Sequence, residues 1–398
     1  MFIAKNHSGE LISLISKSSE SINMLKKEGP FYCPACQEEV ILKIGMKKLS
    51  HFAHKHSCPI KPEGESYTHL LGKLFLYQWL NKQGIDAILE QYLPSISQRP
   101  DVFVRLNDIP VAVEFQSSVI PLIDLEKRTN NYLQHGIMPL WIIHQRQITV
   151  KNQIIALSDF IGYFIQTFHS TQGYILTLDP ERRLFFTYTN IIPISTNRAY
   201  TIQKQHRFAN SFKDLIGNNI FPQYFYHPWI QSIESWLKNC IISPDARKNA
   251  FLQFLYVNRI HPLELPPEIG VPVPEMYYIK TPPLEWQAYL WVAFLWDKPV
   301  NSKFHLSSIR AYIYHKMKNY IVWRQLATLI GNENMRPFVH YLQFLTKTGH
   351  LKKEGDTFIV RKSGKLIDKP NICREPLRND FFRRYKGVLI RSFLLTDE

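Results

Sequence analysis

Arg99-Pro100-Asp101-Val102-Phe103-Val104, then Asn107-Asp108, then Ile109-Pro110-Val111-Ala112-Val113-Glu114-Phe115-Gln116 is the stretch on which the fold turns. Both halves are rich in Val, Phe and Ile, which favour strands, and Asn-Asp between them reads as a turn. Asn and Asp tolerate the positive φ that a two-residue hairpin turn needs. With those two residues as the turn, Leu106 pairs with Ile109. Counting outward, Asp101 falls opposite Glu114. Opposed residues share a face with Cβ atoms about 5 Å apart, and like charges placed there repel. Gln116, two residues on, points the same way. Two carboxylates at a strand end call for positive charge between them, and a divalent cation with oxygen ligands supplies it. Pro110 falls in a pair where its missing N–H would face away from the partner strand. The plainer alternative is a surface hairpin with two incidental acids.

The sequence upstream weighs against that alternative. Glu65-Ser-Tyr-Thr-His69-Leu-Leu-Gly-Lys73 begins a helical run to about Lys82, with Leu70, Leu74, Phe75 and Leu76 available for packing. Glu65, His69 and Lys73 stand at i, i+4 and i+8, one polar stripe of that helix. Ala87–Leu93 reads as a first strand, Asp124–Gln134 as a helix after Gln116, and Met138–Ile143 as an apolar strand. A helix carrying Glu, a strand starting with Asp, a strand ending Glu-x-Gln and a helix resemble, in that order, a PD-(D/E)XK metal-dependent nuclease.

The chain has 398 residues, enough for about two or three domains, and 45% hydrophobic residues, enough for packed cores. A formal charge of +15 favours a polyanionic partner, nucleic acid first. The longest apolar runs, such as Trp291–Trp296, fall far short of a membrane span, so no membrane insertion is expected. The first residues lack the apolar segment of a signal peptide, and three of the five cysteines cluster. A cytoplasmic protein with reduced thiols is the expectation, with the cluster serving a metal rather than disulfides.

That cluster is Cys33-Pro-Ala-Cys36, then fourteen residues, then His51-Phe-Ala-His54-Lys-His56-Ser-Cys58. Zn²⁺ takes four soft or borderline ligands, and a Cys-x-x-Cys knuckle supplies two from one turn. Among the second group Cys58 plus His54 or His51 is the preferred pair, with His56 a further candidate. A segment with little apolar mass gains most from such a staple. A redox Cys-x-x-Cys is the competing reading; no strand-helix unit of thioredoxin type surrounds it.

Further on, Gly173–Asp179 and Arg183–Tyr188 suggest a hairpin added to the sheet. From about residue 205 the pattern turns helical, over Phe221–Leu237, Asp245–Asn258 and Leu284–Trp296, with a Pro-rich connector from Pro262 to Pro283. Helices at Ser307–Lys318, Trp323–Ile330 and Arg336–Thr348, then a hairpin to Val360, read as a winged helix. Residues 303–398 hold 19 Lys/Arg against 8 Asp/Glu, a surface suited to phosphates. Cys240 and Cys373 read as ordinary free thiols.

These motifs, taken in order, are similar to those of the competence protein CoiA family. Cys-x-x-Cys with His-Phe-Ala-His, Glu-x-x-x-His-x-x-x-Lys, Arg-Pro-Asp-Val and Val-Glu-Phe-Gln carry the resemblance over roughly residues 30–145; the tail is similar in length and basic character. The resemblance implies a restriction-endonuclease-like α/β mixed sheet at 61–205, a zinc-finger-like module at 1–60, and a mainly helical, winged-helix-like region at 206–398. It implies a cytoplasmic protein of natural transformation that acts on incoming DNA or its recombination, as a deoxyribonuclease using Mg²⁺ or Mn²⁺. Recombination or DNA-uptake proteins are the partners it suggests. The implied active-site residues are Glu65, His69, Lys73, Asp101, Glu114 and Gln116, with Asp101, Glu114 and Glu65 on the divalent ion. Zn²⁺ would sit among Cys33, Cys36, His51, His54 and Cys58. Gln116 departs from the consensus Lys and cannot carry positive charge, so Lys73 is the candidate substitute. A catalytically retired nuclease fold that assists recombination is the alternative function. A transcription regulator built from the zinc module and the winged helix is a third, weaker one.

Overall fold

The computed structural model describes residues 1–45, 49–56, 58, 65–167, 173–216, 226–327, 335–365 and 374–394. It divides into two units: Met1–Ile148, Ile175–Thr187 and Lys204–Gly217 form the first, and Thr149–Tyr174, Tyr188–Gln203 and Asn218–Glu398 the second.

The first unit opens with β1 (Ile3–Lys5), β2 (Leu11–Ser13), α1 (Ser19–Leu25), β3 (Phe31–Tyr32), β4 (Glu39–Lys43) and β5 (His51–His54). The strands form an antiparallel sheet in the order β2-β1-β3-β4-β5. Two of these short strands, β1 and β2, precede residue 30. Helix α1 is an addition, started by Ser18 accepting from the Ser21 N–H. Ala4, Leu14, Ile22, Phe31, Val40 and Phe52 pack into a core of their own, so this segment has more apolar mass than expected from its sequence.

Next come α2 (Tyr67–Lys82), β6 (Ala87–Leu89), β7 (Val102–Leu106), β8 (Ile109–Gln116), α3 (Leu122–Gln134) and β9 (Met138–His144). Ser66 caps α2 by accepting from the His69 N–H, and Gly84, at φ +74°, follows its end. Strands β7 and β8 form the expected hairpin. Leu106 pairs with Ile109, and Asn107 and Asp108 take φ of +47° and +65°. Strand β9 returns parallel to β8 after α3. The chain then enters the second unit with β10 (Val150–Lys151), β11 (Ile154–Ala156) and α4 (Asp159–Tyr163), and returns as β12 (Ile175–Asp179), parallel to β9. The mixed sheet of the first unit therefore runs β12-β9-β8-β7-β6, with α2 and α3 packed on it. The hairpin after Gly173 is there, but β13 (Leu184–Ser195) is longer than expected. It is followed by β14 (Arg198–Arg207), and residues of both strands are divided between the two units. Helix α5 (Phe212–Ile216) closes the first unit, where Gln83 Oε1 accepts from the Phe212 N–H.

The second unit is mainly helical: α6 (Tyr226–Ile242), α7 (Ala250–Val257), α8 (Pro283–Trp291), β15 (Lys303–His305), α9 (Leu306–Ala311), α10 (Arg336–Lys347), β16 (Leu351–Glu354), β17 (Thr357–Val360) and α11 (Arg374–Leu394). Helix, strand, two helices and hairpin, with strand order β15-β17-β16, make a winged-helix-like arrangement. Its helices differ from those expected. Residues 323–327 are not helical: Trp323 bridges Ile279 and the Arg324 N–H donates to Tyr278 O. Residues 328–330 lie outside the described residues, and α8 takes the place of the first helix. The Pro-rich connector is largely part of the core. Ile269, Val271, Val273, Met276, Tyr277 and Ile279 are all buried, because its apolar residues outweigh its prolines. Among the described residues no helix is long and apolar enough to cross a membrane. Cys240 is a free thiol; Cys373 lies outside the described residues.

Candidate metal centres and active site

Among the described residues, two groups of side chains that could hold a metal ion form in the first unit. The first is Cys33, Cys36, His54 and Cys58, whose ligand atoms all lie within 4.8 Å of one another. Strand β3 ends in the knuckle: the Cys33 N–H donates to Glu38 O at 2.8 Å, and Gln37, at φ +64°, donates back to Cys33 O at 3.0 Å. Pairing of β5 with β4 sets His54 opposite Val40 and brings its Nε2 to 3.3 Å from Cys36 Sγ. His51 is not in the group. It starts β5 at the far end, three residues and about 10 Å of strand away, and its Nδ1 lies 3.0 Å from Leu49 O. His56 is exposed. Burial, with Cys33 and Cys58 close by, pushes the Cys36 thiol up to about 12. Burial, and then Arg99, keeps His54 neutral to lower pH. Three sulfurs and one neutral imidazole nitrogen are soft or borderline donors, a closed set of four suited to a tetrahedral ion.

The second group is Glu65, His69 and Asp101, again with ligand atoms within 4.8 Å of one another. Glu65 immediately precedes the Ser66 cap, and His69 lies in the first turn of α2. Asp101 directly precedes β7. Its Oδ1 is 3.2 Å from His69 Nε2, and its Oδ2 accepts from the Phe115 N–H at 2.9 Å. Lys73, fully buried one turn further along α2, donates to Glu65 Oε1 at 2.7 Å and to Glu90 Oε1. Burial works against the Lys73 charge, but Glu65 and Glu90 outweigh it and raise its pKa. Glu90 in turn accepts from the N–H groups of Phe2 and Ile3, at 2.7 and 3.1 Å. Arg99 reaches Glu65 at 3.7 Å. Burial opposes its charge too, and Glu90 and Glu65, then Cys33 and Cys58, overcome that.

Glu114 stands apart from this group. Its carboxylate, 1% exposed, accepts from Arg128 Nη2 and from the Tyr132 hydroxyl, both at 2.6 Å. The register does place residues 101 and 114 opposite each other, one step beyond Val102 and Val113. The expected shared face does not follow. Asp101 precedes the strand and is free of its alternation, so its carboxylate reaches His69 of α2. Glu114 points to α3, and Phe115, next in the strand, points to α2, where its ring approaches Gly72. The Gln116 amide donates to Ser118 O at 2.8 Å, in the turn that follows β8. On the α2 side, His144 at the end of β9 sits 6.1 Å from the Phe115 ring, with Glu181 at 3.6 Å.

Glu90, Arg99, Arg128 and Tyr132 are partners of the candidate residues that sequence reasoning passed over. Arg99 stood within the motif but was read as strand. Arg128 and Tyr132, at i and i+4 on α3, are the spacing that a search for partners of Glu114 would have found. Glu90 takes φ +52° at the end of β6, which no pattern in Ala-Ile-Leu-Glu announces.

Three models of known domain families match the chain in sequence order. They are the competence protein CoiA N-terminal domain over residues 14–61, its nuclease-like domain over 65–219 and its C-terminal domain over 224–376. The competence protein CoiA of Bacillus subtilis (strain 168) is 32% identical over 341 residues, covering 83% of this chain and 89% of that protein. No solved structure matches.

Proposed function

The chain belongs to the competence protein CoiA family, and on that premise we propose that it processes DNA during transformation as a divalent-metal-dependent deoxyribonuclease. The observation that carries this reading is the convergence of Glu65, His69 and Asp101 at one end of the mixed sheet of a nuclease-like domain. Asp101 and Glu65 would hold Mg²⁺ or Mn²⁺, as oxygen donors suit a hard cation. His69 orients Asp101, and Lys73 fixes Glu65. A divalent ion there supplies Lewis-acid polarisation of the phosphodiester and a bound water of lowered pKa. Zn²⁺ at Cys33, Cys36, His54 and Cys58 has a structural role in this reading, because no ligand position is left over for chemistry. The basic composition of residues 303–398 suits sequence-independent contact with phosphates.

A second reading, a DNA-binding recombination accessory with a retired active site, is favoured by one observation: the carboxylate of Glu114 is taken by Arg128 and Tyr132. Incubation with labelled single- and double-stranded DNA, in Mg²⁺, Mn²⁺ or EDTA, separates the two. Cleavage that needs metal and drops by at least about a hundredfold in Asp101→Ala is the expected result. Salt-sensitive binding without cleavage by a metal-loaded wild type would establish the second reading.

A further inference from the structure

Gln116 leaves this site without the cation that the motif ordinarily places there, and Lys73 does not replace it. Its ammonium is fully buried and holds Glu65 and Glu90. Arg128 is placed differently. Its side chain is 20% exposed while the carboxylate that holds it is 1% exposed. One face of the guanidinium lies over the Trp141 ring, 5.3 Å from its centroid. Only Nη2 is used, on Glu114; the other donors of the fork have no protein partner among the described residues. The Tyr132 hydroxyl on the other oxygen of Glu114 fixes that carboxylate. The N–H of Phe115 holds Asp101 and the side chain of Glu114, the residue before it in β8, holds Arg128, so adjacent residues of one strand join Arg128 to the acidic group.

We propose that Arg128 is the phosphate-binding cation of this site: Glu114 and Tyr132 hold it, and its remaining N–H donors take the oxygens of the phosphodiester. A guanidinium suits that task, since its planar fork matches two phosphate oxygens at once. The proposal rests on the reading of the site as one that takes DNA, and it concerns binding, so it is tested apart from turnover.

The experiment measures the anisotropy of a labelled oligodeoxynucleotide, single- and double-stranded, in EDTA over a series of salt concentrations. Wild type is compared with Arg128→Gln, Arg128→Lys and Arg105→Gln, the last removing one exposed charge on β7. Arg128→Gln leaves a buried carboxylate unpaired, so the double variant Arg128→Gln/Glu114→Gln accompanies it, with circular dichroism as the check on folding. The expected result is about tenfold weaker binding by both Arg128→Gln variants, with a salt slope shallower by about one. Arg128→Lys should keep the slope and lose part of the affinity, and Arg105→Gln should bind as wild type does. A folded double variant with wild-type affinity and slope overturns the proposal, as does a wild type that binds no DNA. A wild type that binds DNA through Arg128 yet cleaves nothing in any metal would overturn the hydrolytic reading and leave Arg128 in its role.

Discussion

Glu90 is the residue on which most of the buried charge converges. Burial pushes its carboxyl up, but Lys73 and the other cations around it bring it below its ordinary value. A carboxyl lowered in the folded state contributes stability that is present above the unfolded value, about 4.5, and is lost as pH falls through the folded one. Glu90→Gln should therefore cost about 3 kcal/mol at pH 7, since Lys73 keeps a buried charge with one partner fewer. The gap to wild type should narrow as the pH falls from that ordinary value through the lowered one of the folded state. Urea titrations at neutral and acid pH check both parts; a gap independent of pH would refute the charge argument. At this scale the sequence was legible where chemistry is local. Cys33, Cys36, His54 and Cys58, and Glu65, His69 and Asp101, could be read off as donors. Which carboxylate meets which cation was not legible, because it depends on a left-handed backbone at Glu90 and on a side chain from α3.

At the scale of elements, the contact between α2 and β8 controls the acidic group. A Cβ on Gly72 would stand 2.2 Å from the Phe115 ring, and the Phe115 N–H holds Asp101 Oδ2. Gly72→Ala should thus lose up to about 2 kcal/mol net, overpacking of about 1–3 kcal/mol being offset by about 1 kcal/mol of helix propensity. It should also weaken Mn²⁺ binding about tenfold, read by electron paramagnetic resonance titration. Unchanged Mn²⁺ affinity in a destabilised protein would show that Asp101 is held independently of the helix. The hairpin that supports this contact was legible to the residue, since a two-residue turn and period-two alternation fix a register. The face of Asp101 was not, because alternation stops where the strand stops. In the second unit aromatic residues overrode local pattern: Trp323 reads as the start of a helix, yet it pairs with Ile279.

Considered as a whole molecule, the chain combines a cysteine-bearing module with a basic helical region. An ion held by Cys33, Cys36, His54 and Cys58 would be a staple rather than the core: its chelation should lower the melting midpoint without abolishing the fold, because β1–β5 enclose an apolar core of their own. Differential scanning calorimetry with and without chelator tests this. Loss of the whole transition would mean that the metal is the core. Composition and charge made the two characters of the chain visible, but not the passage of the strands after β9 between the two units, which no local pattern encodes. One contact bears on heredity. Between Cys58 and Glu65 the sequence offers what looks like a natural breakpoint for exchange between related genes. Yet Glu90, beyond it, holds the backbone of Phe2 and Ile3, before it, and the same carboxylate neutralises Lys73. A chimera that joins the front of one homologue to the back of another must match strand β1 to the carboxylate it did not evolve beside. The two segments are expected to be inherited as one.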